Sequence, residues 1–268
     1  MLRERLIVAL LLVPIIILPI AAGGWVFNLF IALVLGVAAY EYSRIFRSGG
    51  YFPSPILTVT GVVFLALARA AGDFLLSAMV LAGLILVTMS WSVIAYEQGQ
   101  QQAGMDFVIT LGGIVYLGWV GPYLISLRAL PDGKWWILLS LCSIWIADAG
   151  AYAIGRRFGK HPLSPRVSPK KSWEGYLSGI TWALAAMVIL APLFSFVAAS
   201  VSLLKALPLG LVIAILAPLG DLGESLIKRQ FNLKDSGRLM PGHGGVFDRL
   251  DSWLWAGVIG YYMVTWLT

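Results

Sequence analysis

Apolar residues run through this sequence in blocks long enough to cross a bilayer, and polar residues collect between the blocks. Residues 6–20 (LIVALLLVPIIILPI) and 74–89 (FLLSAMVLAGLILVTM) are continuously apolar. A hydrocarbon core of roughly 30 Å needs about 20 such residues per helix, and comparable stretches recur from one end of the chain to the other. The alternation of apolar and polar positions that a membrane β-barrel requires is missing from these runs, so they predict helices. Nine spans are expected, at residues 6–22, 25–42, 54–71, 74–96, 106–127, 135–155, 173–197, 207–227 and 252–267. The expected fold class is an all-α integral membrane protein with about nine transmembrane helices.

Composition agrees with this reading. Of 268 residues, 59% are hydrophobic and 12% charged, which excludes an ordinary soluble domain. The single cysteine, Cys142, lies inside an apolar stretch, so neither an intramolecular disulfide nor a cysteine-based zinc site is available. Arg3 and Arg5 ahead of an apolar run ending in Ala21 and Ala22 resemble a signal peptide, but the eight further spans favour an uncleaved anchor.

Lys and Arg outnumber Asp and Glu, 19 to 13. In a membrane chain such an excess records topology and contact with anionic headgroups or nucleotides, and no nucleic-acid partner is expected. In a nine-span arrangement one side receives Arg3, Arg5, Arg44, Arg47, Arg156, Arg157, Lys160, Arg166, Lys170, Lys171, Lys228, Arg229, Lys234, Arg238 and Arg249. Only Arg69, Arg128, Lys134 and Lys205 fall on or near the other. The positive-inside rule then puts the N-terminus in the cytoplasm and the C-terminus across the membrane.

Two connections on the basic side are long and polar, residues 156–172 (RRFGKHPLSPRVSPKKS) and 228–251 (KRQFNLKDSGRLMPGHGGVFDRLD), and Gly and Pro give both sharp turns. The chain thus divides into residues 1–130, with about five spans, and residues 131–268, with about four spans and both loops. A polar, cytoplasm-facing active-site cavity is expected among the C-terminal helices. The loop at 97–105 reads as a solvated connector, and no internal repeat is evident.

Asp221, Glu224, Ser225 and Lys228 follow the i, i+3, i+4, i+7 spacing of one helix stripe. Ionisable residues inside a span are costly and mark a polar site or a buried salt bridge. The following loop adds Lys234, Asp235, Arg238, His243, Asp248, Arg249 and Asp251, with the glycines of PGHGG, including Gly244 and Gly245, between them. Carboxylates suit Mg²⁺, which takes one or two of them plus substrate phosphates and water, while Lys, Arg and glycine N–H groups hold phosphate. Asp251 can cap the last helix or bind metal, and His243 is expected as a contact only. Asp148 and Tyr152 share a helix side, where Asp148 either joins the metal site or satisfies a neighbouring helix. In SPKKSWEG, residues 168–175, Ser172 is placed to cap the next helix, and Lys170 and Lys171 to hold a triphosphate or anionic lipid. Glu174 beside them is not explained by lipid attraction.

These residues resemble a known family. SLIKRQFNLKDSGRLMPGHGGVFDRLD, from Ser225 to Asp251, is similar to the signature of the CDP-diacylglycerol synthases, also called phosphatidate cytidylyltransferases. Residues 168–175 resemble the family's SPKK(T/S)xEG element, and Asp148 to Gly155 its Asp-x-Gly-Ala-Tyr-x-x-Gly stretch; Met240 and Ser172 depart from the commoner residues but keep the local chemistry. The resemblance implies a Mg²⁺-dependent, homodimeric inner-membrane enzyme that makes CDP-diacylglycerol from CTP and phosphatidate among membrane lipids. On that basis Asp221 and Asp248 are expected to hold metal, with Asp148, Glu224 and Asp251 as further candidates, and Lys228 and Arg229 to act with them in catalysis. Ser168, Lys170, Lys171, Glu174, Ser225, Lys234, His243, Gly244, Gly245 and Arg249 are expected to bind substrate. A related membrane CTP-dependent lipid nucleotidyltransferase or kinase, and an ion-coupled transporter, are the other readings of the same charges.

Overall fold

The computed structural model describes residues 13–72, 74–237, 239 and 244–267. Its helices are α1 (Val13–Ala22), α2 (Gly24–Ser48), α3 (Pro55–Ala70), α4 (Phe74–Glu97), α5 (Ala103–Gly113), α6 (Tyr123–Ala129), α7 (Gly133–Phe158), α8 (Trp173–Ser195), α9 (Leu203–Gln230) and α10 (Phe247–Leu267). A π-helical stretch, Ile114–Val120, follows α5, and two short strands, β1 (Pro162–Ser164) and β2 (Ser168–Ser172), pair antiparallel between α7 and α8.

Six stretches among the described residues have the length and hydropathy of a full crossing: α2, α4, the run Ala103–Ala129, α7, α8 and α9. The chain is therefore a multi-pass, all-helical membrane protein apart from the one hairpin. Helix coincides with every expected apolar stretch that lies in the described residues. α1 and α3 are shorter, and α10, though 21 residues long, opens on Asp248, Arg249 and Asp251.

The structure differs from the sequence expectation mainly at the polar ends. α7 continues through Arg157 to Phe158 and α9 through Arg229 to Gln230, because basic side chains in a last turn interact favourably with the helix dipole. α10 begins at Phe247, five residues earlier than expected, with Asp248 in its first turn. The long loops therefore shrink to residues 159–172, largely taken up by the hairpin, and 231–246. The expected span at 106–127 is not one regular helix. It changes to π-helix after Gly113 and breaks at Gly121 and Pro122, where proline supplies no backbone donor.

Two compact units emerge: Met1–Ser126 with Gln230–Leu250, and Leu127–Arg229 with Asp251–Thr268. In the first, α2 packs along α3, where Gly36 meets Val63, and Tyr42 on α2 lies against Gly113. In the second, α7 and α8 form the tightest helix pair. Gly175 and Gly179, one turn apart on α8, let its backbone approach α7 so closely that added Cβ atoms would stand 2.8 Å from the Ala151 carbonyl and 2.9 Å from the Ala147 carbonyl. Small residues at such spacing are the usual means of close helix contact in a bilayer, where lipid competes equally for apolar side chains. The Ser178 hydroxyl donates across this seam to Gly150 O at 3.1 Å.

Candidate active site

In the second unit, the polar ends of α7, α8 and α9 and the hairpin enclose a cavity of about 710 Å³. Asp148, Tyr152 and Arg156 reach it from α7, Lys170 and Lys171 from β2, Tyr176 from α8 and Asp221 from α9. Between them Ala147, Ala151, Gly175, Gly179 and Ala214 give an apolar floor. A mouth of mixed charge over an apolar floor fits an amphiphile with an anionic head, and the volume is that of a small-molecule site.

Helix geometry explains the lining. Asp148, Tyr152 and Arg156 recur every four residues on α7 and so share one face, and Arg156 Nη1 donates to the Tyr152 hydroxyl at 3.2 Å. Ser172 caps α8 by accepting from Gly175 N at 3.2 Å, as expected from the sequence, which fixes where β2 ends and sets Lys171 beside the helix entry. Lys171 Nζ forms an ion pair with Asp221 Oδ2, and Asp221 Oδ1 accepts from Ser225 Oγ at 3.3 Å. Both charged side chains stay about one-third exposed, at 30% and 35%.

The neighbouring residues take other parts. Glu174 receives the backbone N–H groups of Lys160 and His161 at 3.1 and 3.3 Å and the His161 ring Nδ1 at 2.6 Å, so it tethers the start of α8 to the turn after α7. Arg229 Nε donates to Val167 O at 3.4 Å, tying the end of α9 to the hairpin, whose β2 begins at Ser168. Glu224 is buried and pairs with Lys228 at 3.2 Å one turn along α9. Ser168, Glu174, Glu224, Ser225, Lys228 and Arg229 thus surround the cavity without lining it. Asp251, expected as a possible cap, lies inside α10; its Oδ1 accepts from Ser252 N at 2.5 Å, and its backbone carbonyl packs on Gly220.

The first unit holds the other group. Lys234 and Arg249 are exposed, and His243, Arg238 and Met240 lie outside the described residues. Gly244 adopts φ +82°, a conformation that disfavours any side chain. Asp248 Oδ2 accepts from Ser236 N at 2.8 Å and Gly245 N at 2.7 Å, and it lies 3.0 Å from Ser236 Oγ. A residue not singled out from the sequence joins them: Glu41 on α2 accepts from Ser236 Oγ and from Phe247 N, both at 2.9 Å. The signal that could have found it is a carboxylate inside the apolar run 25–42, where an ionisable group needs a polar partner.

The donor chemistry can be tested against Mg²⁺. Among the described residues no three His, Cys, Asp or Glu side chains converge as a protein-only cage. Asp148 and Asp221 instead line one cavity together with Arg156, Lys170 and Lys171. One or two carboxylates at a phosphate-binding surface are what Mg²⁺ accepts when substrate phosphates and water complete its shell, so these residues fit that ion.

Comparison with known proteins adds a full-length match. The Cytidylyltransferase family profile covers residues 3–267. A phosphatidate cytidylyltransferase of Pseudomonas aeruginosa is 36% identical over 265 residues, spanning 94% of this chain and 93% of that one. One from Mycobacterium bovis is 33% identical over 282 residues, with 99% and 89% covered. One from Staphylococcus saprophyticus is 30% identical over 254 residues, with 94% and 95% covered.

Proposed function

The chain belongs to the Cytidylyltransferase family, and on that premise we propose that it is a phosphatidate cytidylyltransferase, converting CTP and phosphatidate to CDP-diacylglycerol and pyrophosphate. The observation that carries the reading is similarity over nearly the whole chain to proteins of that name, supported by a cavity that sets Arg156, Lys170 and Lys171 over an apolar floor. A phosphatidate oxygen attacks the α-phosphorus of CTP, a new P–O bond forms, and the bond to the β-phosphate oxygen breaks, with the electron pair leaving on pyrophosphate. Phosphatidate is already an anion near neutral pH, so the chain needs no strong general base. Its work is to position two anions against their mutual repulsion.

Lys170, Lys171 and Arg156 neutralise phosphate charge at the cavity mouth, and Lys171 exchanges its partner Asp221 for a phosphate oxygen when substrate enters. Mg²⁺ would be held by Asp221 with Asp148 beside it, and when bound it supplies charge neutralisation at the transferring phosphate. The metal role of Asp248 rests on the sequence signature. Ala147, Ala151, Gly179 and Ala214 accept the glycerol end of the lipid. We place the enzyme in the inner membrane as a homodimer on the family resemblance, and crossing nine times with the N-terminus and cavity cytoplasmic, a topology that the distribution of basic residues supports.

The deciding assay gives purified protein labelled CTP, phosphatidate and Mg²⁺. CDP-diacylglycerol is expected as product. Its absence across lipid and metal conditions overturns the reading, and labelled product from a lipid alcohol instead of phosphatidate would favour the related kinase chemistry.

A further inference from the structure

We propose that Glu41 is a positioning residue that holds Ser236 and the entry to α10 together and thereby aims Asp248; the inference rests on the cytidylyltransferase reading above. Glu41 is 5% exposed on α2, and a carboxylate that deeply buried is costly unless its oxygens are hydrogen-bonded. Oε2 accepts from Ser236 Oγ and from Phe247 N, neutral donors at the two ends of the loop. One oxygen thus joins Ser236 to the start of α10.

The loop backbone is fitted around this carboxylate. A Cβ at Gly237 would collide with Glu41 Oε1, and one at Gly245 with Glu41 Oε2 and with Ser236 Oγ. Absence of side chains at these two positions is what lets the chain close over the glutamate. Ser236 is the shared element. Its hydroxyl has one proton and lies 2.9 Å from Glu41 and 3.0 Å from Asp248, while its N–H serves Asp248 at 2.8 Å. Gly245 N, two residues before Phe247, supplies a further donor to Asp248. Asp248 therefore points where Ser236 and Gly245 hold it, and Glu41 fixes the places of both. Without Glu41 the buried Phe247 N–H loses its acceptor and the Ser236 hydroxyl is left with Asp248 alone, so Ser236 and the entry to α10 are no longer held together and the Asp248 carboxylate loses its direction without leaving the fold.

The test compares the wild type with Glu41→Ala, Glu41→Gln and Ser236→Ala, each purified in detergent. A second set adds Cys142→Ala and a spin label at Leu239→Cys, an exposed loop position. Glu41→Ala is expected to lower kcat about a hundredfold with KM for CTP changed by less than about threefold, and Glu41→Gln, which keeps an acceptor oxygen, to recover about tenfold of that loss. In metal-free, substrate-free protein the label should be more mobile in Glu41→Ala and Ser236→Ala than in wild type. If Glu41→Ala does not fold, Ser236→Ala carries the same expectation from the loop side. Turnover within about twofold of wild type in the variants that fold, or unchanged label mobility, overturns the proposal. A wild type that makes no CDP-diacylglycerol would instead refute the functional reading, while label mobility would still report whether Glu41 holds the loop.

Discussion

Asp221 lies well inside α9 and Asp248 in the first turn of α10, and the protein treats the two carboxylates oppositely. Asp221 faces the cavity, one-third exposed, and its ion pair is with the long, mobile side chain of Lys171. Exposed pairs of that kind contribute about 0–1 kcal/mol, so the partner can be exchanged at little cost. Asp248 is tied through one oxygen to two backbone N–H groups, beside a Ser236 hydroxyl that it shares with the buried Glu41. Breaking such a set strands buried donors at about 1–3 kcal/mol each. The difference separates a surface that reads ligand from a scaffold that holds its own shape.

Substitutions at three positions separate the two carboxylates. The largest effect is expected from Asp248→Asn, which exchanges a fully accepting group for one with a misplaced amide donor. Turnover should fall by about 10³-fold, and thermal stability should fall with it by about 1–3 kcal/mol. An equal loss of activity with unchanged melting would move Asp248 out of the scaffold. Next, Asp221→Asn should lower kcat/KM by roughly 10²-fold with little change in melting, because its ion pair contributes so little to the fold. Melting lowered as much as in Asp248→Asn would erase the distinction. The smallest effect is expected from Lys171→Gln, a rise of about tenfold in KM for CTP or phosphatidate with kcat nearly kept, measured by initial rates in detergent micelles. A large fall in kcat would give Lys171 a role in the transferring step itself.

Legibility in the sequence followed the range of the interactions. Helices were readable because a bilayer demands uninterrupted apolar runs, and Asp148, Tyr152, Lys170, Lys171 and Asp221, named from local spacing, line one cavity. The Ser172 cap was readable for the same reason, since its acceptor and donor lie three residues apart. The hairpin at 162–172 was not, for it has no apolar alternation and is fastened by Glu174 and Arg229 from either side. The tether that Glu174 makes to the backbone N–H groups of Lys160 and His161 is not legible either, because backbone donors leave no trace in side-chain pattern. Glu41 was hidden for a further reason. Its chemistry is complete only with Ser236, 195 positions away, and no local periodicity carries that distance.

That same separation bears on the order of biosynthesis. α2 leaves the ribosome early, while Ser236 and Phe247 are made near the end, so the Glu41 clasp closes only after almost every other helix has been inserted. Closing so long a loop of chain is a late, entropically costly step. A nascent chain halted before α10 has Glu41 but neither Phe247 nor Asp248, so the clasp has no second end to hold.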